Sequence, residues 1–126
     1  MKLKTKAQVA DQRYSEYKLT KPDKNRVSKI NHWAGKNNKI LDIGCGTGSI
    51  GVKLIKNGNQ LFGVDISEKC IQKARKKNII AKQIDIEEKS IPFNDKFDVI
   101  IAAEIIEHII DTDSFALRQI RKNSKH

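Results

Sequence analysis

The residues at positions 40–48 read ILDIGCGTG, and they constrain the fold more than any other stretch of the chain. An apolar run ends at Ile43, and three glycines follow at once, separated from one another by single residues. Apolar residues at helical spacing then occupy positions 49–57. Because glycine tolerates positive φ angles and lets a ligand approach the backbone, the pattern predicts a strand, a ligand-binding turn and a helix. The turn would contain Gly44, Gly46 and Gly48.

The apolar runs that follow repeat this alternation of strand and helix. Strands are predicted at residues 39–43, 60–64, 79–84 and 97–102, with helical spacing between the first three. Alternating strands and helices form parallel sheets with right-handed crossovers, and nearly continuous apolar runs indicate strands that are covered on both faces. The sequence therefore predicts an α/β fold with a parallel sheet between covering layers.

Charge is distributed unevenly along the 126 residues. Residues 1–39 hold 11 Lys or Arg against 3 Asp or Glu, and so carry +8 of the net charge of +10. We predict a basic helical segment at residues 1–36 and a ligand-binding domain at residues 37–126. Binding of nucleic acid by the basic segment is the less favoured interpretation, because lysine outnumbers arginine 20 to 5. An AT-rich genome produces the same bias.

Hydropathy and cysteine content bear on the cellular compartment. No apolar run approaches the roughly 20 residues that a membrane-spanning helix requires. The N-terminus lacks the apolar core of a signal peptide. The two cysteines, Cys45 and Cys70, are then expected to be reduced thiols, and the protein is expected to be cytoplasmic.

Acidic residues stand at the carboxyl ends of three successive predicted strands. Asp42 precedes the first glycine by two residues, Asp65 ends the second strand and Asp85 ends the third. The carboxyl ends of parallel strands meet at one edge of the sheet, where ligands of α/β proteins bind. A carboxylate there can accept hydrogen bonds from ribose hydroxyls or from an adenine amino group, and Ile66 and Ile86 could flank the base. Together these residues predict a pocket for an adenosine that carries a cationic amino-acid tail.

With these motifs, and with FDVIIAAEIIEHI after them, residues 37–120 resemble the class I S-adenosylmethionine-dependent methyltransferases. The chain is most similar to the type 11 small-molecule methyltransferases and to the ubiquinone-biosynthesis O-methyltransferases. The resemblance implies a Rossmann-like three-layer sandwich whose first four strands have the order 3-2-1-4. It also implies the transfer of a methyl group from S-adenosylmethionine to a small-molecule acceptor.

The resemblance implies a role for each residue of the predicted site. Asp42 and the glycine turn would hold the methionine portion of the cofactor, and Asp65 would hold the ribose. Asp85 and Ile86 would contact the adenine. Residues 102–104, which end at Glu104, would lie near the sulfonium.

A cluster of polar residues follows the fourth predicted strand. Glu104, Glu107 and His108 are spaced i, i+3 and i+4, so that on a helix they would share one face. Two carboxylates and an imidazole suit Mg²⁺ or Mn²⁺, and such an ion would lower the pKa of an acceptor hydroxyl. In the alternative, His108 acts alone as a general base or is a hydrogen-bonded helix residue. The pattern also resembles enzymes that methylate the terminal 2′-hydroxyl of small RNAs, but those are expected to supply a later histidine, and the only one here is His126.

The resemblance implies seven strands, whereas the sequence predicts four. We therefore expect either a C-terminally truncated domain or a partner chain, such as a second copy, that covers the free edge of the fourth strand. Two functions follow: a methyltransferase, and a cofactor-binding fragment that depends on a partner for catalysis. A nicotinamide-dependent oxidoreductase is disfavoured, because Ser49 stands where the dinucleotide motif G-x-G-x-x-G has its third glycine.

Overall fold

The structure, a computed structural model, describes residues 7, 8, 11 and 24–102. Helices and strands alternate from residue 24 to the third strand, and an irregular segment then leads to the fourth. All four predicted strands are confirmed to within two residues at each end. In chain order the elements are α1 (Lys24–Ala34), β1 (Lys39–Ile43), α2 (Gly51–Ile55), β2 (Gln60–Asp65), α3 (Glu68–Arg75), β3 (Ile80–Gln83) and β4 (Val99–Ile101).

The strands form one parallel sheet in the order β3-β2-β1-β4, which confirms the predicted arrangement. Asp42 on β1 lies opposite Gly63 on β2 and Ile101 on β4. Asp65, the last residue of β2, pairs with Gln83 at the end of β3. Because the strands all run in one direction, their carboxyl ends lie along one edge of the sheet. The predicted site residues of β1 and β2 therefore share that edge.

One face of the sheet is covered by α1, α2 and α3. Each helix contributes to a single apolar cluster, which contains Val27 of α1, Leu54 of α2 and Ile71 of α3. The helix predicted at residues 49–57 is shorter in the structure, where α2 has only five residues. A helix of that length is unstable in isolation, so its packing against the sheet holds it. Among the described helices, none combines the length and the apolar composition that crossing a bilayer demands.

The opposite face is covered, within the described residues, by the irregular segment between β3 and β4. Phe62 of β2 packs edge-to-face against Phe93 and Phe97, with ring centroids 5.1 and 5.2 Å apart. Ile86 and Ile91 belong to the same buried cluster. Aromatic pairs of this geometry contribute about 0.5–1.5 kcal/mol each beyond their buried area. The segment thus serves as the covering layer on this face.

The amino-terminal edge of the sheet is tied together by Asn59, a buried residue between α2 and β2. Its Oδ1 accepts a hydrogen bond from the backbone N–H of Asn38 at 2.8 Å. Its amide nitrogen donates to the carbonyl oxygens of Gly35 at 3.0 Å and of Leu54 at 2.9 Å. One side chain therefore joins the end of α1, the start of β1 and the end of α2.

Strand β3 departs from the expectation that the strands are covered on both faces. Only Ala81 of its four residues is buried, and Ile80 is 44% exposed. By contrast, four of the five residues of β1 are buried. The difference follows from the strand order, since β3 is an edge strand of the described sheet and β1 is an inner one.

Candidate functional site

The glycine turn folds back over the end of β2. The backbone N–H groups of Gly44 and Cys45 both donate to the carbonyl oxygen of Val64, at 2.8 and 3.0 Å. The N–H of Gly48 donates to the carbonyl oxygen of Cys45 at 3.1 Å, which closes the turn. The φ angles of Gly44, Gly46 and Gly48 are 78°, 56° and 84°, a region that residues with a Cβ rarely adopt. The backbone path of this turn therefore requires glycine.

Two of these glycines differ in what surrounds them. A Cβ at Gly48 would lie 2.5 Å from Cδ1 of Ile79 and 3.4 Å from Cα of Ala74, so the turn packs directly against α3 and the residue before β3. A Cβ at Gly46 would have no atom of the described residues within 4 Å. Gly48 thus serves close packing, whereas Gly46 borders open space at the carboxyl edge of the sheet.

The carboxylate of Asp65 joins the glycine turn to the start of α3. Its Oδ2 accepts from the N–H of Gly46 and its Oδ1 accepts from the N–H of Ser67, both at 2.9 Å. Burial raises the pKa of this carboxyl above the ordinary value of 3.8, although the N–H groups of Ser67, Gly46 and Ile66 act in the opposite direction. Asp65, the residue predicted to bind the ribose, therefore lies directly beside the glycine turn.

A cavity of about 410 Å³ opens next to these residues at the ends of β2 and β3. Asp85 and Ile66, both predicted site residues, line it together. The loop shape at Asp85 is set by its Oδ1, which accepts from the N–H of Glu87 at 3.1 Å. The remaining lining residues are Ala7, Gln83, Ile84, Glu88 and Lys89.

Ile66 and Asp85 are the only predicted site residues within the described part of the chain that line this cavity. The others do not line it: Asp42, Gly44, Gly46, Gly48, Asp65 and Ile86. Ile86 is 5% exposed and packs in the phenylalanine-containing cluster, while Ile84 lines the cavity beside Ile66. Asp42 is 6% exposed. Burial, followed by the carboxylates of Asp42 and Asp65, raises the pKa of the Cys45 thiol far above its ordinary range. Asp42 is therefore close enough to the glycine turn for its charge to act on the Cys45 thiol.

The sequence analysis missed two residues of the N-terminal segment that reach the site. Ala7 lines the cavity, and Asp11 accepts a hydrogen bond from the hydroxyl of Ser67. Asp11 also accepts from the N–H of Lys69 at 3.3 Å. The signal in the sequence was weak, because Asp11 is simply one of three acidic residues among the first 39. A contact across 56 positions leaves no local pattern.

The predicted metal ligands Glu104, Glu107 and His108 lie outside the described residues, so that site stays a prediction. Within residues 7, 8, 11 and 24–102, no group of three or more His, Cys, Asp or Glu side chains is arranged to hold a metal ion.

The comparison with known families agrees with this arrangement of sheet, glycine turn and carboxylates. The methyltransferase domain family matches residues 34–126. The chain belongs to this family. The assignment confirms the resemblance inferred from the glycine turn and the acidic strand ends.

Individual methyltransferases show how far the similarity extends. The ubiquinone biosynthesis O-methyltransferase of Pelagibacter ubique is 40% identical over 96 residues, which is 71% of this chain and 38% of that protein. The chain therefore spans about two-fifths of the length of this relative. A TehB-like SAM-dependent methyltransferase from Corynebacterium glutamicum superimposes with a TM-score of 0.71 at 26% identity, over 94% of this chain and 66% of that one.

A more distant structural neighbour is the magnesium protoporphyrin IX methyltransferase of Synechocystis PCC 6803 with bound SAH. Its TM-score is 0.71 at 18% identity, over 94% of this chain and 64% of that one. At this low identity the superposition shows a shared fold and nothing more. That fold is the Rossmann-like fold of the SAM-dependent methyltransferases.

Proposed function

We propose that this chain binds S-adenosylmethionine and forms the cofactor-binding part of a methyltransferase that acts on a small-molecule acceptor. The observation that carries the proposal is the contact between Asp65 and Gly46 at the carboxyl edge of the sheet. This contact brings the acidic end of β2 against the open part of the glycine turn, beside the cavity that contains Asp85. Membership of the methyltransferase family supports the same assignment.

The chemistry of Asp65 suits the ribose. Each of its oxygens accepts one backbone N–H, and an ionised carboxylate offers about four acceptor positions. Each oxygen can therefore accept one further hydrogen bond, which matches the two adjacent hydroxyls of a ribose. The two N–H contacts also hold the carboxylate in place before a ligand arrives, which reduces the entropy lost on binding.

The cavity suits the adenine. Asp85 can accept from the exocyclic amino group, and the apolar side chains of Ile66 and Ile84 can cover the faces of the base. In this assignment Ile84 takes the place that the sequence analysis gave to Ile86. Asp42 and the glycine turn would then bind the methionine portion, whose ammonium group is attracted to a buried carboxylate.

When bound, the cofactor supplies an activated methyl group on a sulfonium. The protein would contribute alignment of the acceptor atom with that methyl group and exclusion of water. The name of the Pelagibacter relative supports an oxygen atom as acceptor. Glu104, Glu107 and His108 would then hold Mg²⁺ or Mn²⁺, or His108 would remove the hydroxyl proton.

The alternative is a cofactor-binding fragment that depends on a partner for methyl transfer. It is favoured by the length of the Pelagibacter relative, of which this chain spans 38%. A partner chain or a second copy beside β4, an edge strand of the described sheet, belongs to this alternative. Both functions require cofactor binding, so cofactor binding is the first property to test.

The test is calorimetric titration of the purified chain with S-adenosylhomocysteine, compared with NADH. We expect micromolar binding of S-adenosylhomocysteine and none of NADH. Asp65→Ala should weaken binding at least about tenfold, equivalent to about 1.4 kcal/mol. Asp95→Ala is the charge-matched control. It removes a carboxylate that forms an ion pair with Lys39, the first residue of β1.

Thermal unfolding of each variant shows whether a loss of binding reflects a loss of folded protein. A folded wild-type chain that does not bind S-adenosylhomocysteine would refute the proposal. An Asp65→Ala variant that binds as tightly as wild type would refute the assigned site. Methyl transfer by the chain alone would then be measured with a panel of acceptors. Turnover would support the methyltransferase, and its absence would support the partner-dependent fragment.

A further inference from the structure

Gln83, the last residue of β3, contributes to the cavity that Asp85 also lines. The amide nitrogen of its side chain donates to the carbonyl oxygen of Ile66 at 2.9 Å. A carbonyl oxygen can only accept a hydrogen bond, so the nitrogen must face Ile66 and the amide oxygen must occupy the other arm of the amide. The contact with Ile66 therefore fixes which amide atom of Gln83 remains available to a ligand.

The available atom is an acceptor. The amide oxygen of Gln83 makes no hydrogen bond to the described residues, and the residue is exposed. Asp85, two positions further along the chain, brings a carboxylate to the same cavity. Both groups accept hydrogen bonds, so together they favour a ligand group that presents two N–H donors.

We propose that Gln83 is a specificity-determining residue of the cofactor site, which acts with Asp85 to select a purine that carries an exocyclic amino group over one that carries a carbonyl in its place. The amino group of adenine has two N–H bonds, one for each acceptor. A carbonyl there, as in hypoxanthine, would bring its lone pairs against both acceptors and form neither hydrogen bond. The inference rests on the proposed function, in which this cavity takes the adenine.

Two further charged residues line the cavity, Glu88 and Lys89. Glu88 adds another acceptor, whereas the ammonium group of Lys89 only donates and would favour a carbonyl. Lys89 is exposed, and an exposed ammonium group on a long flexible stem stays strongly hydrated. The amide of Gln83 is instead held in one orientation by Ile66. We therefore expect the fixed acceptor to decide the choice of base.

A purely structural role of the Gln83 side chain explains the contact less well. Strands β2 and β3 are already joined here by their backbones, because the N–H of Ile84 donates to the carbonyl oxygen of Asp65 at 3.0 Å. A hydrogen bond from an exposed side chain adds little to this ladder, since water replaces it in the unfolded chain. What the contact does set is the orientation of the amide, and that orientation acts on a group that binds at its oxygen.

The test compares S-adenosylhomocysteine with its deaminated analogue, S-inosylhomocysteine, by calorimetric titration of the full chain. We expect wild type to prefer S-adenosylhomocysteine at least about 100-fold, because the analogue lacks both N–H donors. Gln83→Met keeps the length of the side chain without its amide, and should reduce this preference about tenfold, equivalent to about 1.4 kcal/mol. Gln83→Lys replaces the acceptor by a donor, and should reduce the preference further.

Gln60→Met is the matched control. Gln60 is also an exposed glutamine at the end of a strand, but it is the first residue of β2 and lies at the opposite edge of the sheet. Its preference for S-adenosylhomocysteine should equal that of wild type. A merely structural role of Gln83 would weaken both ligands by one factor and leave their ratio unchanged. Thermal unfolding shows whether each variant is folded.

The outcomes distinguish the inference from the proposed function. If wild type binds S-adenosylhomocysteine and Asp65→Ala does not, but Gln83→Met keeps the wild-type ratio, the role of Gln83 is wrong and the proposed function stands. Equal affinity of wild type for the two ligands, or a preference for the inosine analogue, would also overturn the inference and leave the proposed function in place. Absence of binding of either ligand by the folded wild-type chain would overturn both.

Discussion

Replacement of Gly46 and of Gly48 by alanine should have different consequences, although the two glycines are two residues apart in one turn. Both have positive φ angles, and a Cβ in this region costs about 1–2 kcal/mol. At Gly46 that strain is the whole cost that the described residues impose, because a Cβ there would meet none of their atoms within 4 Å. At Gly48 the Cβ would lie 2.5 Å from Cδ1 of Ile79, a buried side chain that is 3% exposed.

Overpacking of a closed core costs about a further 1–3 kcal/mol. Gly48→Ala should therefore lower the free energy of unfolding by about 2–5 kcal/mol, against about 1–2 kcal/mol for Gly46→Ala. The ranking should reverse for ligand binding. The Cβ of Gly46→Ala would enter the open space beside Asp65, where the ligand is proposed to lie, so its affinity for S-adenosylhomocysteine should fall at least about tenfold.

Urea unfolding followed by circular dichroism measures the first quantity, and calorimetric titration of the folded variants measures the second. Equal destabilisation by the two substitutions would show that the space around Gly48 is not closed. Unchanged affinity in Gly46→Ala would show that the ligand does not approach this part of the turn. Either result would refute the division of roles between the two glycines.

Two other perturbations test the polar contacts. Asn59→Ala should lower the free energy of unfolding by about 1–3 kcal/mol in urea titration, because the half-buried N–H of Asn38 and the carbonyl of Gly35 lose the hydrogen bonds that Asn59 makes to them. The carbonyl of Leu54 also loses its bond to Asn59 but keeps the one from the N–H of Asn57. Asn57→Ala, at a half-buried site with one side-chain contact to Asn31, is the control, and equal losses would contradict the argument. Because the pKa of Asp65 is raised on folding, the folded state binds more protons above pH 3.8 than the unfolded state does, and stability should fall as pH rises through this window. Urea titrations from about pH 4 to about pH 7 should show this slope in wild type and not in Asp65→Asn, and identical slopes would indicate an unshifted carboxyl.

Local sequence was sufficient for the strands and for the positions of the acidic residues. Each strand is a short apolar run bounded by glycine, asparagine or an acidic residue, and such boundaries are set by the backbone preferences of the residues themselves. The cap of α3 is likewise a local feature, because the side chain of Ser67 bonds to a backbone N–H only three residues away. The length of α2 could not be predicted from local sequence in the same way, because this helix depends on its contacts with the sheet.

Site residues were predicted where their position along a strand determines which edge of the sheet they reach. Asp42, Asp65 and Asp85 are such residues, since the end of a parallel strand places them at the carboxyl edge. Ile86, by contrast, was predicted to flank the base only because it follows Asp85 in the sequence. The direction of its side chain depends on the path of the loop, which turns Ile86 into the core and Ile84 toward the cavity.

The sequence by itself determined the parallel sheet, the glycine turn and the acidic strand ends, because each is encoded by neighbouring residues whose backbone preferences agree. Only the tertiary structure decided that Gly48 packs against Ile79 while Gly46 borders open space. It alone brought Asp11 to Ser67 across 56 positions. Such contacts depend on where distant segments meet once the apolar faces are buried, and residues that meet in this way leave no periodic or local pattern in the chain.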